Sequence, residues 1–346
     1  MKTKKLINKY KKSLFGNFPG GTPIYSYTIS NKNGMALTVT NYGAAITSLE
    51  IPSKQRELLD VVLGFNDAES YIKSYAIAGA PYFGAIVGRY AGRIKNGTFT
   101  LNGKTHQLTK NLNDAHTLHG GRNGFSSALW QASHDEKANT LHFTYTGTNG
   151  EEGFPGALKV KATYTLNSKN ELIISYTAES TEDTIINLTN HSYFNLDGHT
   201  ADVRDQYLKI NASELLEVDN ENVPTGAFIN VAEKDFDFNE FKNCPETIDD
   251  SFITAGDITK LVATLKSEQS GIAMDVYTNQ PSVHVYVGGS CGEIAGKEKA
   301  VYHNHSGICF ETQNYPDAPN QPHFPSAVLK KGEVYQKQTI FKFKHL

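Results

Sequence analysis

Residues 158–180 read LKVKATYTLNSKNELIISYTAES. From Leu158 to Leu166 an apolar side chain falls on every second position, with lysine or threonine between. The cluster Asn167–Asn170 interrupts, and ELIISYTAES takes up the alternation again. Side chains alternate between the faces of a strand, so the spacing predicts two strands joined by a hairpin turn. Working outward, the same habit recurs in ALTVTNYG (36–43), TLHFTYTGTNG (140–150) and GIAMDVYTNQPSVHVYVGG (271–289). GTFTLNGKTHQLT (97–109) carries a second hairpin signal at Asn102-Gly103. Helical periodicity is scarce, with room for a turn or two over Asp67–Ser74. Strands this close together, without helices between them, predict an all-β chain. The expected architecture is a large antiparallel β-sandwich with few short helices.

The 346 residues contain no Pro- or Ser-rich linker and no repeat of fixed period, so a single domain over 1–346 is expected. A basic segment, Met1 to about Gly16, leads in; its few apolar residues predict a solvated stretch rather than a membrane-seeking helix. A net charge of −3 gives no reason to expect nucleic acid or an anionic membrane, and no run approaches the length of a spanning helix. Cys244, Cys291 and Cys309 are odd in number and widely spaced. They predict free thiols in a reducing compartment, by default the cytoplasm.

Phosphate loops, dinucleotide fingerprints and serine nucleophile elbows are missing. Four other stretches concentrate reactive side chains: 84–99 with Arg89 and Arg93, 114–125 with His116 and His119, 187–198 around His191, and 307–326 around Glu311. Over 185–196 the alternation gives one strand with two faces. Ile186, Leu188, Ser192, Phe194 and Leu196 form the oily one, with Asn190 as its exception; Asn187, Thr189, His191, Tyr193 and Asn195 form the polar one. The polar face is either solvated or the floor of a cleft. Glu311 interrupts an apolar strand; a carboxylate there is paired in a salt bridge, open to a cleft, or functional, because an unpaired buried charge is costly. The histidines form no closed ligand set of the kind zinc requires, so no metal is expected, and His303-Asn304-His305 reads as a solvated loop.

Together GRYAGRI (88–94), HTLHGG (116–121), NLTNHSYFNLDG (187–198) and ETQNYPDAPNQPHFPS (311–326) resemble the aldose 1-epimerase family, in order and over most of the chain. The resemblance implies a β-sandwich with a carbohydrate cleft, and interconversion of the α and β anomers of free hexoses such as D-galactose and D-glucose. It implies Glu311 as general base, His191 as general acid and His119 near the ring oxygen. Arg89, Asp249 and Gln280 are implied as sugar-binding residues, with Asp249 or its neighbour Asp250 facing the sugar. Gly92, Asp250, Gln321 and His323 depart from the family's usual residues. No cofactor is implied; the partner is a small monosaccharide, and the molecule is a monomer or homodimer. Tyr193, Phe194 or Tyr315 is expected to supply an aromatic wall. The alternatives are an epimerase of another aldose or of a phosphorylated hexose, a binding protein without catalysis on the same scaffold, and a polysaccharide lyase or hydrolase. The last would call for a second catalytic carboxylate.

Overall fold

A computed structural model describes residues 9–55, 57–77, 79–233, 236–289 and 291–346. The hairpin predicted at 158–180 forms as read: strands Leu158–Leu166 and Glu171–Ser180 pair in unbroken antiparallel register. Leu158, Val160, Ala162, Tyr164 and Leu166 all point inward and are at most 1% exposed. Each large apolar side chain sheltered in this way is worth about 1.5–3 kcal/mol. Asn170, at φ 60°, makes the turn. At the second hairpin Asn102 (φ 51°) and Gly103 (φ 75°) both adopt the left-handed conformation that the favoured two-residue turn demands.

This hairpin lies inside a nine-stranded sheet. On one side of it stand Gln131–Asp135 and Thr140–Gly147, and on the other Val334–His345, Ile272–Thr278, Leu261–Lys266, Tyr207–Ile210 and Lys242–Asn243. A six-stranded sheet runs in the order Tyr193–Phe194, Ile308–Gln313, Ser282–Val287, Ile248–Ile253, Glu214–Val218, Pro224–Asn230. A five-stranded meander covers Tyr10–Asp60. One apolar cluster joins all three, with Leu37 and Leu49 from the meander, Tyr164 and Ile174 from the larger sheet, and Phe252, Val285 and Phe310 from the six-stranded one. The molecule is thus an antiparallel β-sandwich. Among the described residues the single α-helix is Ala68–Ser74, where a helical turn was expected; Asp67 caps it by accepting from the Ser70 N–H at 2.8 Å.

Two expectations need correction. The basic lead-in is not simply solvated: residues 1–8 lie outside the described residues, but Tyr10–Asn17 is a strand at the edge of the meander, paired with Pro23–Ser30. Residues 185–196 are not one strand. They break into the short pieces Thr184–Ile185, Thr189–Asn190 and Tyr193–Phe194, each paired with a different partner. The polar residues there are buried, and most tie crossing backbones together. Asn187 Nδ2 donates to the carbonyls of Ala91 and Asn314, Asn190 to that of Gly84, and Asn195 to those of Ala201 and Ser306.

Candidate active site

The six-stranded sheet gives one face to the core and the other to a cleft of about 490 Å³. Its register places side chains on the cleft face in two rows. Tyr193, Cys309, Tyr286 and Asp249 are successive cross-strand partners, and so are Glu311, His284 and Ser251 in the next row. Between the rows Phe310 and Val285 turn to the core, as does Phe252 just beyond the second row. Strand alternation therefore sends the two aspartates to opposite faces. Asp249 lines the cleft, and Asp250, opposite Val285, points to the other face.

His191 closes the floor from the broken segment. Its Nε2 is 3.4 Å from Glu311 Oε1, and its Nδ1 is 3.6 Å from Cys309 Sγ. Both His191 and Glu311 are buried, at 5% and 2% exposure. The second carboxylate oxygen, Oε2, has no hydrogen-bond partner among the described residues. Burial pulls the His191 imidazole below its ordinary value, while the Glu311 charge pulls it back up. Tyr193 stacks on the imidazole at 5.2 Å between ring centroids.

The opposite wall comes from two glycine-containing loops. Gly92 adopts φ 80°, and a Cβ there would stand 2.9 Å from Pro316, so the position needs glycine for both reasons. Its N–H donates to His119 Nδ1 at 3.2 Å, while the His119 N–H donates to the Gly92 carbonyl at 3.1 Å. Gly120, at φ 86°, lets this loop press against the Gly88 carbonyl, which a Cβ would meet at 2.1 Å. Because His119 Nδ1 accepts, the neutral ring carries its proton on Nε2 and is a donor there. Burial, then the charges of His191 and Arg93, hold its imidazole well below the ordinary value, so it stays neutral. His119, His191 and Glu311 bring ligand atoms within 4.8 Å of one another. A metal, however, needs an unprotonated nitrogen, which His119 does not present without giving up the Gly92 contact.

Arg93 leans over the cleft with Nη2 3.4 Å from Asp249 Oδ2, and Asn222 Nδ2 donates to the same oxygen at 3.0 Å. Asp249 Oδ1 is 2.8 Å from His284 Nε2. Against burial, His284 and then Arg93 hold the Asp249 carboxyl far below the carboxylate range. Tyr82 packs edge-on against His119 at 4.9 Å and, with Tyr75, Tyr193 and Tyr286, gives the cleft its aromatic surface.

Of the sequence-derived set, Glu311, His191, His119 and Asp249 meet in this cleft. Arg89 and Gln280 do not. Arg89 is buried away from it, its Nη1 donating to the carbonyls of Pro155 (2.9 Å) and Gly156 (2.8 Å) with the guanidinium over the Phe154 ring. Burial lowers its pKa to about 10. The arginine of this motif that lines the cleft is Arg93, the second of the two; Arg122 lines it as well. Gln280 is buried with Nε2 3.2 Å from both the Leu188 carbonyl and the Tyr335 hydroxyl, and it lines a separate cavity. Phe194 and Tyr315 likewise belong to apolar clusters and not to the cleft wall. His284 was missed. The signal was present in SVHVYV (282–287), where His284 and Tyr286 share one face and the valines the other.

A family model described as aldose 1-epimerase matches residues 25–342. The galactose mutarotase of Sus scrofa is 39% identical over 343 residues, covering 96% of this chain and 98% of that one. Among solved structures, an aldose epimerase homologue from C. elegans superposes with a TM-score of 0.85 at 29% identity, over 98% of this chain and 99% of that one. A galactose 1-epimerase from Lactobacillus acidophilus gives 0.83 at 27% identity, with the same coverage.

Proposed function

The chain belongs to the aldose 1-epimerase family, and from that premise we propose that it interconverts the α and β anomers of free hexoses such as D-galactose and D-glucose, with Glu311 and His191 as its acid–base pair. Ring opening removes a proton from the anomeric hydroxyl, adds one to the ring oxygen and breaks the bond between the anomeric carbon and that oxygen. Rotation about the C1–C2 bond presents the other face of the aldehyde, and closure reverses the transfers. The Glu311 carboxylate takes the first proton and His191 Nε2 supplies the second. Before opening the pair is carboxylate and imidazolium; after it, carboxylic acid and imidazole. One proton is conserved throughout, and no redox step or covalent intermediate enters.

The observation that carries this reading is the 3.4 Å separation of His191 Nε2 and Glu311 Oε1 at the buried end of the cleft. Both reacting oxygens are bonded to one carbon, so their base and acid must be close neighbours. Each such transfer is worth roughly 10²–10⁴-fold in rate. His119 Nε2–H is a donor for the ring oxygen or an adjacent hydroxyl. Arg93 and Asp249 offer a fixed donor and acceptor to hydroxyls, and the tyrosines offer faces for sugar C–H groups. We take the chain to act as a single domain, as a monomer or homodimer. Three buried unpaired cysteines suit a cytoplasmic enzyme.

Polarimetry of freshly dissolved α-D-galactose and α-D-glucose tests the proposal. Wild-type protein should bring either sugar to anomeric equilibrium well ahead of buffer, and Glu311→Gln should not. A wild type no faster than buffer on both sugars, or a Glu311→Gln variant as fast as wild type, overturns it.

A further inference from the structure

His284 stands in the cleft with neither ring nitrogen free. Nε2 is 2.8 Å from Asp249 Oδ1, and Nδ1 is 2.9 Å from Ser251 Oγ. Asp249 engages its other oxygen with Asn222 and Arg93. A histidine so committed has no donor or acceptor left for a sugar hydroxyl. What it retains is charge and position: it is the direct cross-strand partner of Glu311, a placement that brings the two Cβ atoms to about 5 Å.

We propose that His284 is a positioning residue for the Glu311–His191 pair: an imidazolium fixed between Asp249 and Ser251, whose charge sets the pH window in which the pair carries its single proton. The inference rests on the acid–base reading of that pair given above.

The carboxylates around His284 act in the same sense. Asp249 and Ser251 face His284 from one neighbouring strand and Glu311 from the other. Tyr286 follows on its own strand, while Arg93, His119 and His191 line the same cleft from outside the sheet's central strands. Against burial, the hydrogen bond and charge of Asp249, then Glu311, keep His284 above the ordinary imidazole value, with Arg93 opposing. The resulting positive charge disfavours protonation of both His191 and His119. By the same Coulomb term it favours ionised Glu311. A fixed cation here makes every added proton harder to hold, so both limbs of the activity profile lie at lower pH than a neutral residue would allow. At an effective dielectric of about 20, a unit charge roughly 6–10 Å away displaces them by roughly one to two pH units.

The test is the pH dependence of kcat/KM for mutarotation by the full chain, from about pH 4 to about pH 9. His284→Gln keeps a donor and an acceptor for Asp249 and Ser251 but loses the charge; both limbs should move to higher pH by roughly one unit. Ser251→Ala weakens only one clamp and should move them the same way by less. A slower His284→Gln enzyme with unmoved limbs overturns the proposal, because that is what a merely structural role produces. Proton NMR of the His284 ring in wild type supplies a readout independent of turnover. Titration well above the ordinary imidazole value of about 6.5 supports the proposal, and titration at or below it overturns it. Failure of wild type to mutarotate sinks the acid–base reading itself; an unmoved profile in an active variant sinks this inference alone.

Discussion

Asp60 and Glu311 each bring a sheltered carboxylate against a base, and they are built to opposite ends. Asp60 is saturated. Its Oδ1 accepts from the Leu49 and Val62 N–H groups, and its Oδ2 lies 2.6 Å from Lys297 Nζ and 3.5 Å from His199 Nε2. Lys297 also donates to the Thr47 carbonyl at 2.7 Å, and Tyr302 reaches His199 Nδ1 at 3.1 Å. Glu311 is left short: a 3.4 Å approach to His191 and an oxygen with no partner among the described residues. A carboxylate whose lone pairs are all filled has nothing left to react with, and serves to pin the 291–300 loop to the meander. One kept in a dry place with capacity to spare is ready for a proton.

The contrast is broken most sharply by activity. His191→Asn should cost roughly 10²–10⁴-fold in kcat. The Glu311→Gln/His191→Asn double variant should lose little more than either single one, because the two residues act as a unit. Thermal midpoints should stay near wild type, and a large drop in midpoint would place Glu311 with Asp60 as a structural carboxylate. Next in size is Lys297→Met, which strands Asp60 and should cost about 3–5 kcal/mol in urea unfolding. Its kcat and KM, measured below the transition, should match wild type.

The two arginines of GRYAGRI provide a smaller, mirror-image pair. Arg93→Lys should raise KM by roughly 10-fold or more with little change in unfolding, because a lysine ammonium keeps the charge but loses the planar fork of donors. Arg89→Lys should lower stability by about 1–3 kcal/mol and leave KM alone. The smallest effect is pH-linked. The depressed imidazoles of His119 and His191 add stability above the unfolded value of about 6.5 and lose it as pH falls through their folded values. The depressed Asp60 and Asp249 carboxyls do the same from about pH 4 downward. The raised His284 acts oppositely, losing its contribution as pH climbs past its folded value. Urea midpoints should therefore fall in two stages toward acid, and the second stage should shrink in Lys297→Met.

How much of this was legible depended on whether the information was local. Strand alternation is local, so the hairpin 158–180 and the sandwich followed from it. Glu311 stood out because a carboxylate among Ile308, Cys309 and Phe310 is anomalous in any strand. Arg89 and Arg93 could not be ranked by inspection, sitting four apart among the same glycines; their roles part only where the backbone turns at Gly92 toward Pro316. Asn187 and Asn195 were misread for a related reason. A polar face that satisfies crossing backbones has the same alternation as one that lines a cleft. His284 acquires its meaning only when Asp249, far away in sequence, becomes its neighbour across the sheet.

The strand Val334–His345 has a consequence for how the protein is made. It lies between Glu171–Ser180 and Ile272–Thr278 and, among the described residues, is the strand that joins the two halves of the nine-stranded sheet. It also follows every other strand in the chain. During translation both half-sheets emerge with an open edge, and neither can close until this segment has left the ribosome. Such edges are templates for wrong pairing, and contacts of this sequence separation form slowly. The nascent chain therefore passes through a stage in which its largest sheet is split. Fusions or truncations that delay or shorten Val334–His345 should be felt in yield of folded protein before they are felt in the cleft.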